Sequence, residues 1–241
     1  MKDVVDRNTV IAPQDPYIIS GKNGVSELRV CKAGVKGCRN AVIDVKALAE
    51  GLMENLNNSG IEEEIISTSE CPVKKHQFFT MAIAGCPNCC SQPQIKDFGL
   101  SGQAEPVKGE AECIECMKCI DVCEEEGAVQ IINGVPVFNM ELCVKCGKCA
   151  KVCPTESIII KDQGVRVMAG GMIGRHPQLA YTLKELLKNN EAFSIFQLCA
   201  GLFKADKSKK RKLGAVINRL GIGEVIEKIK SALFQKSTII Y

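Results

Sequence analysis

Apolar residues recur at helical spacing between positions 41 and 57, where Val42, Val45, Leu48, Leu52 and Leu56 would share one face. Asn40 or Asp44 can cap that helix, and the polar turn from Asn57 to Gly60 ends it. Elsewhere in the first half the apolar runs are short and bounded by turn residues, which predicts strands at 27–30, 61–66, 78–83 and 97–100. The run 78–83 is nearly all apolar, so it reads as a central strand, and it leads straight into Cys86. Before them, 1–28 reads as an irregular entry with turn signals at Ala12-Pro13 to Asp15-Pro16 and at Ser20-Gly21 to Asn23-Gly24. A strand at 164–169 should close on a tight Gly170-Gly171 turn, with helices over about 177–189, 191–204, 211–220 and 223–235. Strands grouped first and helices grouped last predict an α+β fold.

Between Ala111 and Pro154 the pattern gives way to Cys, Glu and Lys. Cys113, Cys116, Cys119 and Cys123 repeat as Cys143, Cys146, Cys149 and Cys153 with the same spacing, 30 residues later. A short apolar strand follows each run, at 129–132 and 157–160. Such a duplication predicts a pseudo-twofold two-cluster ferredoxin unit over 106–160. It would be inserted into a larger α+β domain made of 1–105 and 161–241. The spacing C-x2-C-x2-C-x3-C wraps three thiolates round one 4Fe–4S cubane and sends the fourth to its neighbour. Cluster one would therefore take Cys113, Cys116, Cys119 and Cys153, and cluster two Cys143, Cys146, Cys149 and Cys123. Structural zinc is the alternative, but it usually pairs two short C-x2-C units across a loop, often with histidine. Neither of the chain's two histidines lies in the segment.

Composition narrows the class. The 241 residues include 15 cysteines, 46% hydrophobic and 24% charged residues, and a net charge of +3. The start carries no charged-then-apolar leader pattern, and no apolar run approaches the ~18 residues of a membrane span. Cysteine clusters are then expected to hold metal in a reducing, cytoplasmic setting rather than to cross-link. The one basic stretch, Lys204 to Lys212, reads as a solvated helix end, so neither nucleic acid nor membrane is an expected partner.

Two further pairs, Cys31 with Cys38 and Cys86 with Cys90, sit where a strand gives way to a loop. The stretch AGCPNCCSQPQIKDFGL, Ala84 to Leu100, resembles the siroheme and 4Fe–4S signature of sulfite and nitrite reductases, which Gly85, Cys86, Cys90, Asp97, Phe98, Gly99 and Leu100 match in order. Val167 to Ala180 is similar to the segment after the inserted ferredoxin in that family, and Arg211 to Ile229 to its closing helices. The resemblance implies that Cys31, Cys38, Cys86 and Cys90 hold a third cubane, with Cys90 also the axial ligand that bridges to siroheme. The gap between Cys31 and Cys38 is one residue longer than the family's usual one. Cys89, Cys71 and Cys199 read as small buried residues.

The resemblance also implies reduction of a small inorganic anion, sulfite or nitrite, which needs cations to bind the anion and supply protons. Phe78, Thr80 and Met172 stand where the family has lysines. Replacement cations for anion or siroheme carboxylates are Arg29, Lys32, Lys36 and Arg39 near the first pair, Lys74, Lys75 and His76 before the strand at 78–83, and Arg175 with His176 after the glycine turn. Arg175 keeps the family's place in that turn. Two functions compete: a siroheme enzyme fed by a redox donor, and a non-catalytic electron-transfer or siroheme-binding protein. The missing lysines discriminate them. A homo-oligomer could bring further basic residues to the site.

Overall fold

The computed structural model describes residues 17–208 and 212–237. The turn signals at 12–16, most of the expected irregular entry and the centre of the basic stretch lie outside them. Among the described residues one six-stranded sheet has the order β1-β2-β3-β4-β7-β8. Its strands are β1 (Tyr17–Ser20), β2 (Ser26–Val30), β3 (Phe79–Ala84), β4 (Phe98–Lys108), β7 (Ile158–Ala169) and β8 (Tyr181–Leu187). The central strands β2, β3 and β4 run parallel, and the outer pairs are antiparallel. Between β4 and β7 the hairpin β5 (Val129–Ile132) and β6 (Val135–Phe138) forms a second, two-stranded sheet.

Helices α1 (Val45–Ser59), α2 (Ile61–Thr68), α5 (Asn189–Ala205), α6 (Leu213–Leu220) and α7 (Ile222–Ser237) supply the core that covers one face of the large sheet. Leu28, Met81, Ile83, Leu100 and Val167 point there, against Leu48, Leu52 and Leu56 of α1 and Phe196 and Phe203 of α5. Phe79 meets both phenylalanines edge to face. Asp44 caps α1 by accepting from Ala47 N, and Gly60, in the left-handed region at φ 74°, ends it. The period-two alternation sends Arg29, Thr80, Ala82, Gly99, Ser101, Gln103 and Arg166 to the opposite face.

Two expected elements change type. The 61–66 segment is the helix α2, not a strand: Ile61 and Ile65, one turn apart, are buried. Its Glu62, itself buried, accepts from Asn23 N, Val25 N and Ser26 Oγ and so secures the turn before β2. The expected helix at 177–189 is β8, because pairing with β7 buries Leu183 and Leu187 and overrides the helical preference of Leu, Lys and Glu. The strands expected at 157–160 and 164–169 form one strand, β7. It pairs along its length with β4, so this long ladder carries the chain out to 109–157 and back. There a small cluster of Cys119, Val129, Cys149 and Ile158 is buried, separate from the main core.

Candidate metal centres

At the carboxyl ends of β2 and β3 the chain turns sharply, and four thiols gather. Cys31 N donates to Ile83 O, Gly85 N donates to Cys31 Sγ at 3.2 Å, and Val42 N donates to Gly85 O at 2.8 Å. These bonds bring the loop from Cys31 to Cys38 onto the turn from Cys86 to Cys90. Burial pushes the Cys86 thiol up, and the nearby Cys90, Cys38 and Cys31 push the same way, because like charges on neighbouring thiolates repel. Asn88 Nδ2 lies 2.9 Å from Cys90 Sγ. The adjacent thiol points elsewhere. Cys89, in the left-handed region at φ 53°, meets Arg166 Nη2 at 3.8 Å on the polar face of the sheet. Its thiol is raised by burial, against the pull of Arg166 and Ser101.

The duplicated runs are duplicated in backbone as well. Glu115 and Lys145 are both left-handed, and so are Met117 and Gly147, each pair 30 residues apart. Each run continues into a short helix, α3 (Lys118–Asp121) and α4 (Lys148–Val152). Such alternation of hand turns successive N–H groups inward and makes an anion-binding concavity of the kind that holds iron–sulfur centres. A cleft is lined by Cys113, Cys116, Cys119 and Cys153. A cavity of about 460 Å³ is lined by Cys123, Cys143, Cys146 and Cys149, and also by Cys86, Pro87 and Asn88. Burial pushes the Cys149 thiol up to about 12, with Cys146, Cys143 and Cys123 adding to the rise.

Among the described residues no three of these side chains converge on one metal-ion position. The eight thiols of the repeat line cavities instead. That arrangement suits a polynuclear cluster, which spaces its thiolates around a core, better than a lone zinc, which draws four ligands to about 2.3 Å. Of the leftover cysteines, Cys199 is buried as expected. Cys71 is exposed and Cys89 half-buried, so the expectation that all three are interior fails for Cys71.

A second cavity, of about 890 Å³, opens beyond the amino end of β3. It gathers Lys75, Arg175 and His176 from the expected cations, together with His76, and adds Lys96 and Lys212. Thr80 and Met172 line it too, at the positions without lysine. The segment from Cys90 to Lys96 joins the thiol turn to this cavity across the polar sheet face. Burial and the neighbouring Arg29 push the Lys96 amine down. Arg29 donates to Gln92 Oε1 at 3.1 Å, while its Nε and that of Arg166 find no partner. Arg29, an orphaned buried donor close enough to Lys96 to depress its amine, fits a ligand that carries many carboxylates, as siroheme does.

The other expected cations do not join this group. Lys32 and Lys36 are exposed near Cys31, the Arg39 carbonyl accepts from Lys151, and Lys74 lies outside the cavity lining. Sequence reasoning missed Lys96 and Arg166, and it placed Lys212 in a solvated helix end where the structure instead pairs it with buried Asp97. The signal for Arg166 was present, as one charged residue alternating with Val165 and Val167 in a strand buried on both sides.

Comparison with known proteins follows the same lines. The family described as "Nitrite and sulphite reductase 4Fe-4S domain" matches residues 25–237. The chain is 32% identical over 228 residues to a coenzyme F420-dependent sulfite reductase of Methanocaldococcus jannaschii, covering 93% of this chain and 34% of that protein. It thus spans about a third of that relative's length. Among solved structures, dissimilatory sulfite reductase I superposes with a TM-score of 0.58 at 15% identity, over 84% of this chain and 52% of the other. NirA of Mycobacterium tuberculosis gives a TM-score of 0.46 at 17% identity, over 82% of this chain and 26% of the other.

Proposed function

Because the chain belongs to the nitrite and sulphite reductase 4Fe-4S family, we propose that it is an iron–sulfur oxidoreductase that relays electrons through three 4Fe–4S clusters to sulfite or nitrite at a siroheme. Cys113, Cys116, Cys119 and Cys153 hold the first cluster, and Cys143, Cys146, Cys149 and Cys123 the second. Cys31, Cys38, Cys86 and Cys90 hold the third. One observation carries the reading: four thiols of the repeat and the Cys86 turn line a single cavity. Clusters held at these two places would lie next to one another.

Siroheme, when bound, would supply the redox iron at which the anion is reduced, and Cys90 is the residue that would hold it beside the third cluster. The chain's own residues bind, orient and protonate. Arg175 presents positive charge to cofactor carboxylates or to the anion, while Lys75 and Lys212, paired with Glu27 and Asp97, line the same cavity. Lys96, its amine pushed down by burial, releases a proton from Nζ more readily than an exposed lysine would. His76 and His176, the only two histidines in the sequence, line the same cavity, where their ring nitrogens can hydrogen-bond a bound anion.

Thr80 and Met172 support a second reading, a siroheme-binding electron carrier without turnover. Anaerobic purification separates the two. About twelve irons per chain together with siroheme absorption, as three cubanes and the tetrapyrrole require, support cofactor binding, and turnover of sulfite or nitrite with a reduced viologen supports the enzyme. Cys90→Ser should remove the siroheme-coupled signal and spare the two repeat clusters. About eight irons with no haem band would overturn both readings in favour of a plain two-cluster carrier.

A further inference from the structure

Nine of the sixteen exposed large hydrophobics among the described residues fall between 109 and 160, though that segment is a small part of the chain. Ile114 (62% exposed) and Met117 (41%) lie in the first cysteine run and line the cleft with Cys113 and Cys116. Ile132 and Val135, also exposed, close the β5–β6 hairpin beside them, where a Cβ on Gly134 would stand 3.6 Å from Glu115 Oε1. Apolar surface concentrated in this way marks an interaction site.

Charge says what fits it. Residues 110–126 hold seven carboxylates and one lysine, giving −6 where the whole chain is +3. Glu112, Glu115 and Asp121 are exposed and have no ion-pair partner among the described residues. We propose that this face, apolar at Ile114 and Met117 with an acidic rim, docks a separate one-electron carrier protein with a basic surface, so that electrons enter at the Cys113–Cys119 run. The inference rests on the three-cluster reading and deepens it. The second set of thiols faces the Cys86 turn, so the first set is the end turned toward a partner. A second copy of this chain, basic elsewhere, is disfavoured: joining its basic side to this face would be a head-to-tail contact, which grows open chains unless it happens to close into a ring.

A basic cytochrome c serves as the probe. One electron passes from a reduced cluster to the ferric haem, and no bond is made or broken. The cluster-loaded chain, reduced with dithionite, is mixed with the cytochrome anaerobically in a stopped-flow instrument. The rate constant should fall at least about tenfold between low and 0.3 M salt. Glu112→Lys/Glu115→Lys should lower it about as far at low salt, and Val135→Ser, remote in sequence from the cysteines, should lower it severalfold. Glu54→Lys on α1 should leave it unchanged. Rates indifferent to salt and to these variants, with full iron content, would overturn the docking proposal alone. An iron-free chain would overturn the cluster reading and this proposal with it. Growth of the particle with concentration, reversed by salt or by Glu112→Lys/Glu115→Lys, would replace the carrier by a second copy.

Discussion

Lys212 Nζ lies 3.0 Å from Asp97 Oδ2, and that carboxylate is 1% exposed. The same oxygen accepts from Thr80 N at 2.9 Å and Thr80 Oγ1 at 2.8 Å, while Oδ1 accepts from Leu213 N at 3.2 Å. One side chain therefore ties the start of β3 to the first turn of α6. Asp97 entered as part of a cofactor signature, yet every bond it makes is structural. It holds the wall of the cationic cavity.

Asp97→Ala should cost about 3–5 kcal/mol, because it strands a half-buried ammonium and two backbone donors together. Asp97→Asn, which keeps an acceptor, should cost less. Urea unfolding of both variants measures the difference. A loss below about 1 kcal/mol for the alanine variant would show the carboxylate to be dispensable.

The close approach of two backbones makes a second prediction. A Cβ on Gly102 would stand 2.5 Å from Gly85 O, the carbonyl that accepts from Val42 N just before Cys86. Gly102→Ala should cost about 1–3 kcal/mol through overpacking. Gly201, on α5 with nothing within 4 Å of its would-be Cβ, is the contrast. Gly201→Ala should stabilise by about 0.5–1 kcal/mol. Thermal melts of the pair should shift in opposite directions, and melts that shift together would refute the packing argument.

The 109–157 segment has little apolar core of its own, chiefly Val129 with the thiols around it, packed against Ile158 of β7. Stripping iron with chelator under oxidising conditions should therefore loosen this segment while the six-stranded sheet keeps its core of Phe196, Leu52 and Met81. Limited proteolysis should cut first between 109 and 157 in the stripped protein and nowhere preferentially in the loaded one. Cleavage spread evenly along the stripped chain would refute it.

Much of this architecture was legible. The Leu48–Leu52–Leu56 repeat announced α1, and the 30-residue cysteine period announced a duplication, whose matching left-handed residues only the structure shows. What escaped was decided by partners remote in sequence. Ile61, Ile65 and Ile66 are β-branched residues that read as a strand, yet α2 forms because Gly60 reverses the chain and Glu62 finds the turn before β2. The Lys184-Glu185-Leu186 stretch reads as a helix until β7 pairs with it. Lys96 carried no pattern and Lys212 only that of a solvated basic stretch, and folding alone brings them to one cavity.

Cys199 gives the last prediction. Its thiol is wholly buried in α5, and burial alone pushes it from 9.0 up to about 12. A raised thiol favours the protonated form in the folded state, so its contribution is fully present below pH 9, where both states bind the proton. Above pH 9 the unfolded chain releases that proton and the folded chain does not. Stability should then fall by about 1.4 kcal/mol for each pH unit until the folded thiol titrates. Other groups also titrate in this range, so the comparison is with Cys199→Ala, which carries a constant packing penalty and lacks the thiol. Urea unfolding at pH 8, 9, 10 and 10.5 should give curves that converge as pH rises, the variant losing less. Parallel curves would mean that the folded thiol ionises as easily as the unfolded one, and that the α5 core admits water.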